Sequence, residues 1–492
     1  MCPDDTLHTP FTTYSWNEST VMPRQTEKKE RPGRRKQPTE PIELQIEKLN
    51  DEGIGIGHHQ RKEVVVAGAL AGERVQVEVE HEGQYRIVGR PLRILQKSPD
   101  RATPACRQAK SCLGCSLIQM KPSAQLHFKQ QKVSDALAAY PSLKQVHQQP
   151  AWEAPESLGY RTTAKLVLGR DRGRVKVGLY RRGSHDIIDL HDCPLHHPLI
   201  NRVIEVVREE ISRQKVYVYN PQRQTGLLRY LLVRVSPQRN EAMVTFVTTE
   251  RNYREVTHLA KWLTRKVPEV VSVQQNVNSS EGNVIFGRDT LKMIGHRFLL
   301  DQVGDISLSI SPSSFFQVNH SQAARIYELV RRWADLKRTE AAIDLYCGIG
   351  GIALHLAKDA GLVIGIEVVE DAVRNAEANA RRNGISNCTF YAGDASEVMS
   401  DLAERLPSGQ VAVVNPPRKG CDPEVLEKLV QLAPRMLIYV SCNPQTLARD
   451  LDLLADMGYR TEEVQPVDMF PQTPHVETVA RLVPAAQETG KR

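Results

Sequence analysis

The chain has 492 residues, of which 40% are hydrophobic, and this length allows two to four domains with separate cores. No stretch is long and apolar enough to span a bilayer. The polar first twenty residues lack the apolar segment of a secretory signal, so a reducing cytoplasm is expected and the nine cysteines are not interpreted as disulfides. The net charge of +7 permits a polyanionic partner without requiring one.

Residues 1–40 are rich in Pro, Thr, Arg, Lys and Glu and show no apolar period, which predicts a disordered basic arm. This arm either contacts phosphates or is simply solvated. Its basic residues are Arg24, Lys28, Lys29, Arg31, Arg34, Arg35 and Lys36.

Residues 41–97 contain short alternating runs separated by glycine turns, which predict a small closed β-barrel. Within them, Gly53-Ile-Gly55-Ile-Gly57 does not follow an apolar strand or open a helix, so a dinucleotide loop is rejected and the glycines are predicted to form tight turns. The order LNDEGIGIGH and then VVVAGALAGERVQVEV resembles the TRAM domain, an OB-like RNA-binding β-barrel of RNA-modifying enzymes.

Residues 98–304 mix helix-like and strand-like segments and predict a central α+β domain. A helix is expected over Ser123–Tyr140, and strands over RTTAKLVLG, RVKVGLY, LLRYLLVRV and EAMVTFVT. The first two strands carry a basic run that is either a solvated hairpin face or a surface for RNA phosphates. The run comprises Arg161, Lys165, Arg170, Arg172, Arg174, Lys176, Arg181 and Arg182.

Four cysteines in this domain form a candidate metal site: Cys106, Cys112, Cys115 and Cys193. Free thiols at such spacing would be prone to oxidation, so metal ligation is favoured. Zinc ribbons present two close cysteine pairs, whereas here one close pair joins two solitary thiols, and Cys193 precedes a proline. A [4Fe–4S] cluster is therefore the leading hypothesis, and zinc or no metal are the alternatives.

Residues 305–492 alternate strands and helices, which predicts a doubly wound, Rossmann-like parallel sheet. A buried strand ends at Asp344-Leu345 and is followed by the glycine-rich turn that Tyr346 opens. This turn lacks the Lys-Ser/Thr of a phosphate loop. The next strand ends in Glu367, placed to accept both hydroxyls of a ribose, and a third brings Asp394 near an adenine. A nucleoside without phosphates indicates S-adenosylmethionine.

The fifth strand of this domain contains the apolar run Ile438-Tyr439-Val440 and stops at the turn Ser441-Cys442-Asn443-Pro444. A strand end beside the start of a helix is a partly exposed, electropositive place, which favours the thiolate that a nucleophile needs. Cys442 is the proposed nucleophile, although a lone cysteine after an apolar strand is more often an inert core residue.

The motifs DLYCGIGG, NPPRKG, SCNP and PHVET, in this order, together with the upstream SFFQVN, resemble those of the RNA uracil-C5 methyltransferases. With the TRAM-like barrel and four cysteines, the resemblance is greatest to the bacterial iron–sulfur enzymes that methylate 23S rRNA. It implies a covalent bond from Cys442 to C6 of uracil, methylation at C5, and Glu477 as the base that removes the C5 proton. It also implies cofactor contacts at Gln317, Tyr346, Glu367 and Asn415.

The sequence departs from this family at two positions. Asn415 replaces the usual Asp, which keeps an acceptor for uracil N3–H but loses the charge, and Gly351 stands where some members carry Asn. Cys347 and Cys421 match no nucleophile position and are expected to be core or loop residues.

Three classes of function remain open. The first is methylation of a uridine in 23S rRNA, or of one in tRNA, by a monomer with no obligate protein partner. The second is N-methylation through Asn415-Pro416-Pro417, which would not need Cys442 or Glu477. The third is an RNA-binding protein whose methyltransferase fold is inactive.

Overall fold

The computed structural model describes residues 40–112, 114–181, 184–280, 284–402 and 409–485. The predicted disordered arm, with all its basic residues, lies outside the described residues apart from Glu40, and so does Arg182 of the basic run. In the described ranges, no helix is both long and apolar enough to cross a membrane.

The amino-terminal unit is a six-stranded sheet in the order β1-β5-β6-β4-β3-β2. The two ends of this order, β1 and β2, are almost continuous in sequence, and the Glu47 amide donates to the Ile56 carbonyl (2.8 Å), so the sheet closes on itself. The prediction of a small closed barrel is therefore confirmed. Its strands are β1 Ile42–Gln45, β2 Lys48–Leu49, β3 Gly55–His59, β4 Lys62–Val66, β5 Arg74–Glu82 and β6 Arg86–Gln96.

Only one of the three glycines of the barrel motif has the role that the sequence suggested. Gly53 has φ +69° and lies in a turn, whereas Gly55 and Gly57 lie inside β3. A Cβ at Gly57 would lie 2.4 Å from the Gln45 carbonyl oxygen, so glycine is needed there for a close approach of two strands and not for a turn.

The central unit is a seven-stranded mixed sheet in the order β10-β9-β8-β11-β12-β13-β14, with two helices packed on one face. The predicted strands are present with boundaries shifted by up to two residues. The strands are β8 Thr163–Asp171, β9 Arg174–Tyr180, β10 Ile187–Asp189, β11 Leu228–Ser236, β12 Glu241–Thr248, β13 Val270–Val277 and β14 Asp289–Gly295, and the helices are α3 Pro198–Arg213 and α4 Arg254–Lys266.

Two further helices and a hairpin connect this unit to its neighbours. They are α1 Ala109–Cys112, α2 Pro122–Ala138, and the hairpin of β15 Leu299–Val303 with β16 Ile306–Ile310. The predicted helix Ser123–Tyr140 corresponds to α2, which packs against the carboxy-terminal unit.

The carboxy-terminal unit is an eight-stranded sheet in the order β19-β18-β17-β20-β21-β23-β22-β7. Its strands are β7 His147–Gln148, β17 Ala341–Leu345, β18 Leu362–Glu367, β19 Cys388–Ala392, β20 Val411–Val414, β21 Met436–Ser441, β22 Tyr459–Val467 and β23 Glu477–Pro484. Its helices are α5 His320–Ala334, α6 Gly351–Leu356, α7 Glu370–Arg382, α8 Ala395–Leu402, α9 Pro423–Gln431 and α10 Pro444–Asp456.

This sheet is doubly wound, as predicted, but it is not wholly parallel. Strands β17 to β21 are parallel, whereas β23 runs antiparallel to both β21 and β22. Apolar clusters cover both faces of the sheet, which explains the continuous apolar runs of its strands. Strand β7, whose residues fall in the range assigned to the central domain, pairs with β22 at the sheet edge. The domain boundaries themselves stay predictions.

Candidate active site

Cys442 follows directly after β21 and lies two residues before α10. The strand ends because Ser441 and Asn443 fold into a turn, and the Asn443 side chain then caps the helix by accepting from the Gln445 amide (3.2 Å). The helix amino terminus contributes partial positive charge near the thiol. Cys442 is partly exposed. The strand therefore carries its thiol to the edge of the sheet.

Glu477 opens β23, the strand that pairs with β21. The last registered pair is Ser441 with Thr478, and in an antiparallel ladder the next position places Glu477 opposite Cys442. Only 4% of Glu477 is exposed. The two residues are far apart in sequence, and the antiparallel reversal of β23 brings them together.

The electrostatics of this pair depend on burial and on one arginine. Burial raises the pKa of Glu477 to about 7, and the charge of Arg418 opposes that rise. Burial and the negative charge of Glu477 raise the pKa of the Cys442 thiol to about 11, against which Arg418 acts by its charge and by a hydrogen bond. Arg418 is thus a candidate site residue that the sequence reasoning missed. Its signal was its place in NPPRKG, at the carboxyl end of β20.

The loop that leads into Glu477 is held by α2. Lys129 is fully buried and donates to Asp468 Oδ1 and to the Phe470 carbonyl (3.0 Å). Gln125 exchanges two hydrogen bonds with Gln472, each of 2.9 Å. Since the loop has no regular structure of its own, these contacts determine where β23 begins.

The barrel also reaches this edge of the sheet. Gln445, three residues after Cys442, donates to Asp51 Oδ2 of the barrel (3.1 Å). Lys132 of α2 joins the same barrel loop to the loop that precedes β23, since its Nζ donates to the Asp51 carbonyl (2.8 Å) and to the Pro474 carbonyl (3.4 Å). The barrel therefore forms part of the rim around Cys442.

The carboxyl ends of β17, β18, β19 and β20 meet at the same edge and bring most of the predicted cofactor residues together. Glu367 is fixed by two backbone amides, of Gly348 (3.0 Å) and Val369 (2.9 Å). Burial nevertheless raises its pKa. Tyr346 adopts φ +61°, an unusual backbone conformation for this residue type that starts the glycine-rich turn.

The other predicted cofactor residues are placed less uniformly. Gln317 is 8% exposed and lies in the segment before α5. Asn415 is half-buried directly after β20, and its backbone amide donates to the Leu345 carbonyl (3.3 Å). Asp394 is exposed, and its Oδ1 accepts from the amide (2.9 Å) and hydroxyl (2.8 Å) of Ser396 at the start of α8. Burial raises the pKa of the Tyr346 phenol most, and the charge of Asp394 adds to that rise.

The departure at Gly351 has a steric explanation. A Cβ at this position would lie 2.9 Å from the Tyr327 hydroxyl oxygen, and Tyr327 is buried in the core between α5 and α6. Any larger residue would require Tyr327 to shift. Cys347 and Cys421 are buried, at 7% and 2% exposed, in agreement with their predicted place in the core.

The four cysteines of the predicted metal site come together from two segments. Cys106, Cys112, Cys115 and Cys193 line one small cavity with Ile118 and Leu195. Burial raises the pKa of Cys112, Cys115 and Cys193, so these thiols are neutral unless a cation is bound. Among the residues that the structure describes, however, no group of three or more His, Cys, Asp or Glu is arranged to hold a metal ion. The cluster stays a prediction.

Two family models match this chain. Residues 121–483 match the tRNA (uracil-5-)-methyltransferase model, and residues 35–81 match the TRAM domain model. An uncharacterised RNA methyltransferase of Geobacter sulfurreducens is 50% identical over 443 residues, which are 90% of each chain. One of Caldanaerobacter subterraneus is 40% identical, over 90% of this chain and 97% of its own.

A solved structure matches over the same extent. It is the Pyrococcus abyssi tRNA (uracil-54, C5)-methyltransferase in complex with S-adenosyl-L-homocysteine, which superposes with a TM-score of 0.71 at 29% identity. The match covers 90% of this chain and 99% of that one.

Proposed function

Since this chain belongs to the tRNA (uracil-5-)-methyltransferase family, a family of S-adenosylmethionine-dependent RNA methyltransferases, we propose that it methylates C5 of a uridine in RNA through a covalent adduct with Cys442. The observation that supports this proposal is the register of β21 and β23: Ser441 pairs with Thr478, so Cys442 and Glu477 are neighbours at the end of this ladder.

The proposed reaction begins with the thiolate of Cys442. Its sulfur bonds to C6 of uracil, and the C5–C6 double-bond electrons move to form an enolate. C5 of the enolate then bonds to the methyl carbon of S-adenosylmethionine, whose methyl–sulfur bond breaks to leave S-adenosylhomocysteine. Glu477, as carboxylate, then removes the C5 proton, the double bond re-forms, and the C6–sulfur bond breaks to release Cys442 as thiolate. A pKa of about 7 makes Glu477 a suitable base near neutral pH.

Arg418 supports both ends of this sequence. Its positive charge favours the thiolate of Cys442 before the attack and the carboxylate of Glu477 before proton removal. Gln317, Tyr346, Glu367, Asp394 and Asn415 are the proposed contacts to cofactor and base. Of these, Glu367 is best suited to accept from ribose hydroxyls, because two backbone amides hold its carboxylate in place.

The decisive test of the mechanism is the pair Cys442→Ala and Cys421→Ala, assayed with RNA containing 5-fluorouridine. We expect the native enzyme and the Cys421 variant to form a covalent complex that survives denaturation, and the Cys442 variant to form none and to lose methylation. If Cys442→Ala retained full activity, the N-methylation alternative would replace this proposal. If the native protein bound RNA but neither bound the cofactor nor methylated the RNA, the protein would be better described as an inactive RNA-binding protein.

For the substrate we propose a uridine of 23S rRNA, because the four cysteines and the barrel resemble those of the rRNA enzymes. A tRNA uridine is the second candidate, since the Pyrococcus abyssi neighbour acts on tRNA. Mass spectrometry of both RNA classes from a deletion strain separates them. Loss of 5-methyluridine from tRNA alone would reject the rRNA assignment.

We further propose that Cys106, Cys112, Cys115 and Cys193 hold a [4Fe–4S] cluster. Four thiols that line one cavity, in which no acidic residue or histidine takes part in the lining, are a typical ligand set for such a cluster. A cluster of four irons is wider than one zinc ion and so takes its thiolates from farther apart. Iron analysis and a visible thiolate-to-iron absorption band test this assignment. A colourless protein that contains zinc would overturn it.

A further inference from the structure

Two cations lie on the face of the central sheet opposite its main core, beside a small apolar cluster of Val167, Tyr230, Leu232 and Val247. In the register of β8 with β11, Lys165 pairs with Leu232, and Thr163 pairs with Arg234. Since alternate residues of a strand share a face, Lys165 and Arg234 lie on the same side of the sheet. Val233 and Val235, which flank Arg234 in β11, belong to the apolar core on the other side of the sheet.

Arg234 is buried on this face, and no described acidic residue forms an ion pair with it. Only 6% of it is exposed, and one guanidinium nitrogen, Nη2, donates to the Ser314 carbonyl. Its Nε and Nη1 are buried and have no hydrogen-bond partner in the described part of the chain. A buried guanidinium with unfilled donors costs stability, and an anion at the surface beside it would offset part of its charge.

Lys165 adds a second cation that lacks an acidic partner. Its residue surface is open to solvent, and no described residue forms an ion pair or hydrogen bond with its ammonium. Partial desolvation of that ammonium, together with the charges of Arg234 and Arg161, lowers its pKa to about 8. Lys165 and Arg234, two neighbouring cations that repel one another, are held together more favourably when an anion binds beside them.

Two other basic residues of the β8–β9 hairpin have partners within the protein. Lys176 forms an ion pair with Asp171 (2.8 Å), and Arg170 donates to the Gly173 carbonyl (3.0 Å) and the Val216 carbonyl (3.3 Å). Among the described residues, Lys176 therefore has an acidic partner, whereas Lys165 and Arg234 have none.

The pair of Lys165 and Arg234 adjoins the proposed catalytic pocket. The Thr162 amide donates to the Val318 carbonyl (2.9 Å), one residue after Gln317. The Ser314 carbonyl that accepts from Arg234 precedes Phe315, a phenylalanine that is 64% exposed. The charge of Arg161 also acts on His475, two residues before Glu477. An anion at Lys165 and Arg234 would lie close to an RNA whose uridine occupies that pocket.

We propose that Lys165 and Arg234 form a binding site for one backbone phosphate of the RNA, next to the nucleotide that enters the catalytic pocket. This inference rests on the proposed function for the identity of the RNA. The exposed Lys165 ammonium donates to the phosphate oxygens, and the buried Arg234 guanidinium beside it adds positive charge. Such a contact positions the strand without reading its sequence.

The test uses a synthetic RNA hairpin with a G·C stem and a single uridine in its loop, which fixes the register of binding. Its dissociation constant is measured against salt concentration for the native protein, for Lys165→Ala and for the control Lys176→Ala. Removing one charged contact to a phosphate of a single strand makes the slope of log K against log salt shallower by about 0.7. We expect this change for Lys165→Ala alone, with binding about tenfold weaker.

A second series replaces one loop phosphate at a time by a neutral methylphosphonate. One replacement beside the uridine is expected to weaken binding to the native protein and to have no further effect on Lys165→Ala. Arg234→Lys is expected to retain part of the affinity that Arg234→Met loses. If Arg234→Met does not fold, the Lys165 series decides. Competition by inorganic phosphate without sensitivity to any methylphosphonate would mean that the site takes free phosphate, which overturns the proposal.

The same hairpin separates this inference from the proposed function. Normal formation of 5-methyluridine with an unchanged salt slope in Lys165→Ala would overturn the phosphate site alone. A shallower slope in Lys165→Ala, without any methylation by the native protein, would overturn the uracil chemistry and leave the phosphate site in place.

Discussion

Arg418→Met tests the electrostatics of the active site, because Arg418 opposes the raised pKa of both Cys442 and Glu477. An opposite charge at close range shifts a pKa by about 1–3 units, and we take about one unit for this exposed arginine. The pKa of Glu477 would then rise from about 7 to about 8, and the ionised fraction at pH 7 would fall from about a half to about a tenth.

For Cys442, the same change lowers the thiolate fraction about tenfold at any pH well below its pKa. At pH 7 we therefore expect methylation to be about tenfold slower if attack by the thiolate limits the rate, and about fivefold slower if removal of the C5 proton limits it. The two cases separate at pH 9, where Glu477 is ionised in both proteins and only the decrease in thiolate persists.

The assay for the thiol is the pH dependence of alkylation of the Cys442 peptide by iodoacetamide, followed by mass spectrometry. Lys419→Met is the matched control, since it removes an equal charge from the next residue, which is paired with Asp422 (3.0 Å). Identical alkylation profiles for the Arg418 and Lys419 variants would refute the assigned role of Arg418.

Three further predictions follow from the same geometry. Glu477→Gln should accumulate the covalent RNA adduct on denaturing gels, because attack and methylation precede the step that needs the base; normal turnover would contradict the assigned role. Lys129→Met should lower the free energy of unfolding in urea by about 3 kcal/mol, since it leaves Asp468 buried without its cation. The double variant Lys129→Met/Asp468→Leu should recover part of that stability. If the losses of stability from the two single substitutions simply added in the double variant, the two residues would not be an interacting pair. Gly351→Ala should weaken cofactor binding, as measured by calorimetry. Adding Tyr327→Phe should restore part of that binding, because it removes the hydroxyl that lies 2.9 Å from the new Cβ. No effect of Gly351→Ala would show that α6 shifts freely.

Local patterns were sufficient for much of the fold because they report local physical constraints. Alternating short runs specified the barrel, and continuous apolar strands between helices specified a sheet buried on both faces. The glycines of β3 were assigned wrongly for a physical reason. The sequence shows where glycine occurs, but the approach of Gln45 to Gly57 depends on how the barrel closes.

By itself, the sequence determined the strand ends that carry Cys442, Glu367 and Asn415, since an apolar run followed by a turn places polar residues at the edge of a parallel sheet. Only the tertiary structure decided which of these edges meet. The antiparallel β23 placed Glu477 opposite Cys442, and the return of the chain after β20 placed Arg418 near both. The tertiary structure also showed that Lys176 has an acidic partner, whereas Lys165 has none among the described residues. Charge pairing depends on distances between strands, which sequence spacing does not contain.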